Sequence, residues 1–221
     1  MVKLTRIYTR TGDAGQTRLA DMSAASKTDP RVQAYGSVDE ANSILGVVVA
    51  QPELPDGVRG VLRQIQNELF DVGADLATPL AINPEYPPLR IEETAVVRLE
   101  SWIDEYGKDL PALRSFALPG GTQAAAYAQL ARAVVRRAER AAWQAAELYG
   151  STEGDAASGG VSLTAIRYLN RLSDLLFVLG RHLAQEAGEI LWVPAADREI
   201  SGKSAVASRG RIQAQQGQLD K

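Results

Sequence analysis

Apolar residues recur along most of this chain at intervals of three and four, the repeat of one face of an α-helix, and sustained two-residue alternation is scarce. Asp29 followed by Pro30 places a capping side chain ahead of a proline at the first helical position, and predicts a helix from Pro30 to about Gln51. Pro52 and Pro55 stop it. Asp56 is then expected to cap a second helix reaching about Ala77, with Val58, Leu62, Ile65, Leu69, Val72 and Leu76 as its inward stripe. The proline-bearing stretch TPLAINPEYPPLR reads as a surface loop, after which Val96, Leu99 and Ile103 mark a third helix from Glu92 to Tyr106.

Between Leu110 and Gly121, Pro111, Pro119 and a Gly-Gly pair force the apolar SFAL into irregular structure, and Thr122 caps a fourth helix to about Tyr149. The loop GSTEGDAASGG separates it from Ser162, which caps a fifth helix, LTAIRYLNRLSDLLFVLGRHLAQE, with Leu169, Leu172, Leu176 and Leu179 as its core stripe. Five long helices with little strand signal imply an all-α bundle. One domain is expected over residues 1–193, followed by a polar tail over 194–221, rich in Gly, Ala and Gln, that reads as flexible.

Composition narrows the chemistry. With 221 residues and 45% hydrophobic content the chain can bury one good core. Lys and Arg total 24 against 27 for Asp and Glu, a net charge of -3, which argues against a general nucleic-acid binder. Cysteine is absent and His182 is the single histidine, so thiolate metal sites, disulfides and histidine clusters are excluded and no metal-ligating set is assigned. No apolar run approaches the ~20 residues of a membrane span, and MVKLTRIYTR is too polar for a secretory signal, so a cytoplasmic protein without membrane attachment is the expectation.

Two segments carry candidate chemistry. Within LARAVVRRAERAAW, Arg132, Arg136 and Arg140 stand four residues apart on one helical face beside Arg137, and Glu139 is the only acid between Gly121 and Trp143. Like charges at that spacing each cost a few tenths of a kcal/mol, so the stripe is either a solvated face or a surface for carboxylates or a polyanion. The second segment, TRTGDAGQTR, sets Gly12 and Gly15 among Thr9, Thr11 and Thr17 with Arg10 and Arg18, which suits either a phosphate cradle or a simple turn. Gly202, Lys203 and Ser204 imitate the end of a P-loop, but the first glycine of that pattern would fall at Asp197 and no apolar strand precedes it.

Taken in order, TRTGDAGQTR, SKTDPRVQAYGSVDEANS, FALPGGT, ARAVVRRAER and NRLSDLLFVLGR resemble the propanediol-utilisation (PduO) type of ATP:cob(I)alamin adenosyltransferase over roughly Ile7 to Arg181. The resemblance implies a ferritin-like up-down five-helix bundle that assembles as a homotrimer with active sites between subunits. It implies transfer of the 5′-deoxyadenosyl group of ATP to Co(I) of cobalamin, with triphosphate leaving and Mg²⁺ accompanying the phosphates. Thr9, Arg10, Thr11, Gly12, Thr17, Arg18 and Lys27 would then wrap ATP from the N-terminal loop, and Arg136, Arg137, Glu139, Arg140 and Asn170 would meet it from the helices. Of these, Arg136 is matched to the terminal phosphate. Glu139 is expected to orient Arg136 or Lys27, or to meet the nucleotide's hydroxyls.

The same resemblance pairs Asp39 with Arg132 across the subunit boundary, and matches Phe116 to an apolar plug that displaces the lower ligand of Co(II). Read from the residues alone, Asp39 is a surface carboxylate, Asn170 an interface polar group, Lys27 a solvated cation and Phe116 a loop anchor packed on the bundle. A cob(II)alamin reductase and an adenosylcobalamin-dependent enzyme are the implied partners. An ATP-binding sensor or interaction module without turnover is the alternative, although FALPGG has no task in a sensor. A di-iron carboxylate bundle is disfavoured because the chain has no Glu-x-x-His pair.

Overall fold

The structure, a computed structural model, describes residues 8, 10–82, 84, 86–152, 159–195 and 198. Five helices dominate it: α1 (Pro30–Val49), α2 (Asp56–Leu76), α3 (Glu93–Gly107), α4 (Gln123–Tyr149) and α5 (Leu163–Ala184). Three of them start where a capping side chain satisfies an orphan amide. The carboxylate of Asp29 accepts from the Arg31 N–H at 2.7 Å, the Thr122 hydroxyl from Ala125 at 3.1 Å, and the Ser162 hydroxyl from Ala165 at 3.3 Å. Asp56 departs from expectation. It is the first helical residue of α2, behind Pro55, and makes no cap hydrogen bond, although its carboxylate still lies at the positive end of the helix dipole.

A short antiparallel hairpin, β1 (Gln16–Arg18) with β2 (Ala24–Ser26), precedes α1 and was not foreseen. Strands of three residues carry too little alternation to register in the hydrophobic pattern. Its turn is held locally: Asp21 accepts from the Ser23 N–H at 2.9 Å and from the Ser23 hydroxyl at 2.6 Å.

Helix α4 packs against both α1 and α5, α2 packs on α1, and α3 packs on α5. The inward stripes predicted for α2 and α5 are buried, as are Val96 and Leu99 of α3. Alanine dominates the inward side of α4, with Ala128, Ala131, Ala138, Ala142 and Ala145 essentially inaccessible, so α4 approaches its neighbours through methyl groups. No helix among the described residues is long and apolar enough to cross a membrane.

Two compact units account for the described chain. The helical unit extends to Ala112 and again from Pro119 to Ile190; the small unit joins Leu113–Leu118 with the segment beginning at Leu191. Of the expected tail, only Pro194, Ala195 and Arg198 are described, and its remaining residues, including Gly202, Lys203 and Ser204, lie outside the described residues.

Cations tie helix ends together inside the helical unit. Arg31 is 1% exposed, and its guanidinium donates to the carbonyls of Leu76 at 3.2 Å, Gly159 at 2.9 Å and Gly160 at 3.2 Å while lying 5.1 Å from the Tyr149 ring centroid. The start of α1, the end of α2, the end of α4 and the approach to α5 thus meet at one side chain. Gly159 permits this: at φ +71° it is in the left-handed region, and a Cβ there would fall 2.5 Å from the Leu80 carbonyl oxygen. Removing a buried donor strands three carbonyls, so Arg31→Ala is expected to lose about 2–4 kcal/mol of stability. Arg31→Lys should recover less than half, because an ammonium lacks the planar fork. Urea unfolding checks this, and a wild-type midpoint for Arg31→Ala would remove the role.

Candidate active site

Helix α4 presents its arginines in three environments. Arg132 is half-buried: its Nε donates to Gln129 Oε1 at 2.8 Å and its guanidinium lies 6.0 Å from the Phe177 ring centroid. Burial, reinforced by the neighbouring charge of Arg136, pushes its pKa below the ordinary arginine value. Arg136 and Arg140 are exposed, and Arg140 donates back to the Arg136 carbonyl at 3.1 Å. Arg137 turns toward α1 and pairs there with Glu40. Among the described residues, Arg132, Arg136 and Arg140 make no ion pair, so the ridge has no anion from its own chain.

Glu139 faces the other neighbour. Its Oε1 accepts from Asn170 Nδ2 of α5 at 3.1 Å, so within the chain it engages Asn170 and not Arg136 or Lys27. Asp39, on α1, is exposed and has no side-chain hydrogen bond or ion pair among the described residues, and in particular does not meet Arg132 of its own chain. Between α1 and α4 runs an open groove of about 520 Å³, lined by Gln33 and Ser37 on one side and by Arg137, Arg140, Trp143 and Gln144 on the other.

The N-terminal loop forms a second polar cluster. Its turns close through Asp13 N–H to the Arg10 carbonyl at 3.4 Å, Gly15 N–H to Gly12 at 3.2 Å and Lys27 N–H to Gly15 at 2.9 Å. At Gly12 the absence of a side chain matters, since a Cβ there would lie 3.1 Å from Lys27 Nζ. The ammonium therefore rests against bare backbone, as a cradle for an oxyanion requires. Arg10 adopts φ 63°, unusual for a side-chain-bearing residue, and lies 5.8 Å from the Tyr8 ring centroid. Arg18 donates to the Met22 carbonyl at 3.0 Å, and Thr17 hydrogen-bonds with Tyr35 of α1, linking hairpin to bundle. Thr11 lies in the turn, and Thr9 falls outside the described residues.

Phe116, in the small unit, is 78% exposed, which a packed loop anchor would not be. Among the described residues no group of three His, Cys, Asp or Glu could hold a metal ion. The structure thus joins Gly12 to Lys27, Thr17 to Tyr35 and Glu139 to Asn170. Among the described residues, no hydrogen bond or ion pair joins the α4 ridge to loop 10–27 within one chain. Glu40, Gln129 and Tyr35 were missed as partners of site residues. Gln129 stands three residues before Arg132, a spacing that could have revealed it; the others are non-local.

The sequence model of the cobalamin adenosyltransferase family matches residues 7–183. This chain belongs to that family. It is 53% identical to the corrinoid adenosyltransferase of Mycobacterium tuberculosis over 200 residues, covering 90% of this chain and 99% of that one. It is 39% identical to the corrinoid adenosyltransferase of Bacillus subtilis over 187 residues, covering 83% of this chain and 89% of that one. Among solved structures it is similar to a variant PduO-type ATP:corrinoid adenosyltransferase from Lactobacillus reuteri complexed with cobalamin and ATP. That match has a TM-score of 0.75 at 35% identity and covers 86% of this chain and all of that one.

In this cobalamin adenosyltransferase the ridge-side ion pair of Arg137 with Glu40 is about half exposed on both partners. Such a pair adds less than ~1 kcal/mol to stability. A double-mutant cycle of Glu40→Gln and Arg137→Met, read by urea unfolding, should give a coupling below about 1 kcal/mol. A coupling of several kcal/mol would instead make Arg137 a structural cation.

Proposed function

We propose that this chain is a corrinoid adenosyltransferase that moves the 5′-deoxyadenosyl group of ATP onto Co(I) of cobalamin. The electron pair of Co(I) attacks the ribose C5′, a cobalt–carbon bond forms, and the C5′–O bond breaks with its electrons leaving on inorganic triphosphate. No proton is moved, so no general base is needed. The protein's work is to align the two reactants and to stabilise charge gathering on the leaving triphosphate.

The observation that supports this reading most strongly is the arginine ridge without an anion of its own, in a chain of this family. Arg136, with Arg137 and Arg140 beside it, would hold phosphate oxygens through charge-assisted hydrogen bonds. Gly12 with Lys27, and Thr9, Arg10, Thr11, Thr17 and Arg18 around them, would close over the nucleotide from the loop. Glu139 and Asn170, already hydrogen-bonded to each other, would meet it as a unit that both donates and accepts. Mg²⁺ would arrive on the phosphates and be held largely by them and by water, which suits a site built of cations and amides.

Two further features belong to the proposal. The bare Asp39 and the carboxylate-free Arg132 would pair between subunits of a homotrimer, completing the site. Phe116 would stand against the lower face of the corrinoid, where an apolar ring offers no lone pair and keeps water from the metal, making Co(II) easier to reduce. The enzyme would work in the cytoplasm, between a reductase that supplies the electron and an enzyme that consumes adenosylcobalamin. The bundle with its loop over 1–193 would carry all of this, with 194–221 as a tail.

The test is an anaerobic spectrum of cob(I)alamin with ATP and Mg²⁺, with and without protein. Protein-dependent appearance of adenosylcobalamin with stoichiometric triphosphate is expected. ATP binding without product would make the chain a sensor and overturn the proposal. Asp39→Ala should lower kcat/KM by at least about tenfold and weaken the trimer in sedimentation, because Arg132 would be left desolvated and unpaired. Wild-type turnover by that variant would remove the intersubunit pair.

A further inference from the structure

The loop that carries Phe116 is fastened through one residue. The main-chain N–H of Trp192 donates to the Phe116 carbonyl at 2.7 Å, and the Ser115 hydroxyl donates to the Trp192 carbonyl at 2.7 Å. Ala117 and Leu191 form an antiparallel bridge beside them. The indole then meets the Phe116 ring edge to face, with centroids 6.2 Å apart and planes at 64°. Both rings remain open to solvent, Phe116 at 78% and Trp192 at 41%.

Any residue but proline at position 192 could supply the two main-chain bonds. The indole adds what the main chain cannot, because an edge-to-face pair favours a narrow range of mutual angles. Two large aromatics left exposed against each other form a small apolar platform on a loop, where an isolated ring would rotate among its rotamers.

We infer that Trp192 is a positioning residue for Phe116, fixing the angle at which that ring meets the lower face of the corrinoid. This rests on the reading of Phe116 as the group that keeps a ligand from that face. Trp192 need not touch the corrinoid; it acts by removing the freedom of the ring that does.

The readout is a ratio of two rates for the full-length protein with ATP and Mg²⁺: adenosylation of cob(II)alamin supplied with a one-electron reductant, over adenosylation of cob(I)alamin reduced beforehand. A residue that merely holds the fold together lowers both rates alike. Phe116→Ala is expected to lower the ratio by about tenfold or more, and Trp192→Ala to lower it by about threefold to tenfold. Trp192→Phe, which restores an aromatic partner, should recover most of the loss. The visible spectrum of ATP-loaded enzyme with cob(II)alamin should show less of the form lacking a lower ligand in Trp192→Ala than in wild type.

A reduced ratio for Phe116→Ala with an unchanged ratio for Trp192→Ala would overturn the inference and leave the plug standing. An unchanged ratio for Phe116→Ala would remove the plug, and this inference with it. Equal losses in both rates for Trp192→Ala, with a lowered thermal midpoint, would make Trp192 structural. Trp192→Leu keeps the bulk without the aromatic edge; it should lower the ratio as Ala does if Ala fails to fold, and a wild-type ratio in it overturns the inference.

Discussion

Helix α4 packs against both α1 and α5 through an inward side made mostly of alanine, with Val134, Val135 and Gln129 as its larger buried side chains. Each alanine brings little apolar area to the core, at roughly 0.8 kcal/mol per carbon-sized group buried, so the helix is held chiefly by the length of its contact. Its 27 residues supply that length. A helix held in this way can tolerate charge concentrated on its outer side, since each like-charge neighbour at helical spacing costs only a few tenths of a kcal/mol. The alanine face and the arginine ridge are therefore one design: close packing on one side makes room for a dense, rigidly spaced cationic surface on the other.

Several arginines of the bundle show what that ridge lacks. Arg31 holds three carbonyls; Arg90 meets the buried carboxylate of Asp75 at 2.6 Å and the carbonyls of Thr78 and Pro79; Arg181 meets Glu189 at 2.6 Å and the Pro111 carbonyl. Arg98 reaches Glu68, which also accepts from the buried Tyr168 hydroxyl at 2.7 Å, and burial, with that carboxylate beside it, holds the phenol well above its ordinary pKa. Wherever this fold uses a guanidinium for stability, it provides oxygens from its own chain. Among the described residues, Arg136 and Arg140 have a single helix carbonyl between them, and Arg132 a neutral amide. Under the proposed function, the triphosphate would supply the oxygens that the chain does not.

What was legible in the sequence was what is local. The helices followed from three- and four-residue spacing, and the caps at Asp29, Thr122 and Ser162 from residue type at a boundary. Asp56 misled because an aspartate after proline fits both the cap and the first helical position, and the preceding proline took the former. Arg31 within DPRVQAYG gives no local sign of its role, because its acceptors at Gly159 and Gly160 lie more than a hundred residues away. The arginine ridge could be read from helical spacing, but that Arg137 belongs to Glu40 depends on how α1 and α4 face each other. Asn170 was assigned by resemblance alone; its bond to Glu139 comes from the packing of α5 on α4.

The two halves of the chemistry differ in how exactly they must be placed. Attraction between a guanidinium and a phosphate falls off as the inverse of distance, so an arginine displaced by an ångström still contributes most of its effect. A helix with ordinary side-chain freedom suffices for that. Keeping a ligand from a metal's axial position depends on van der Waals contact, much of which is lost across a gap of about an ångström. Phe116 belongs to a six-residue stretch, Leu113–Leu118, that is not helical and bonds to the strand-like segment at Leu191 and Trp192. Such a loop cannot hold a ring at contact tolerance through main-chain bonds, which constrain the peptide and leave χ1 and χ2 free. A second aromatic pressed against the first supplies that constraint, and Trp192 is the side chain that stands there.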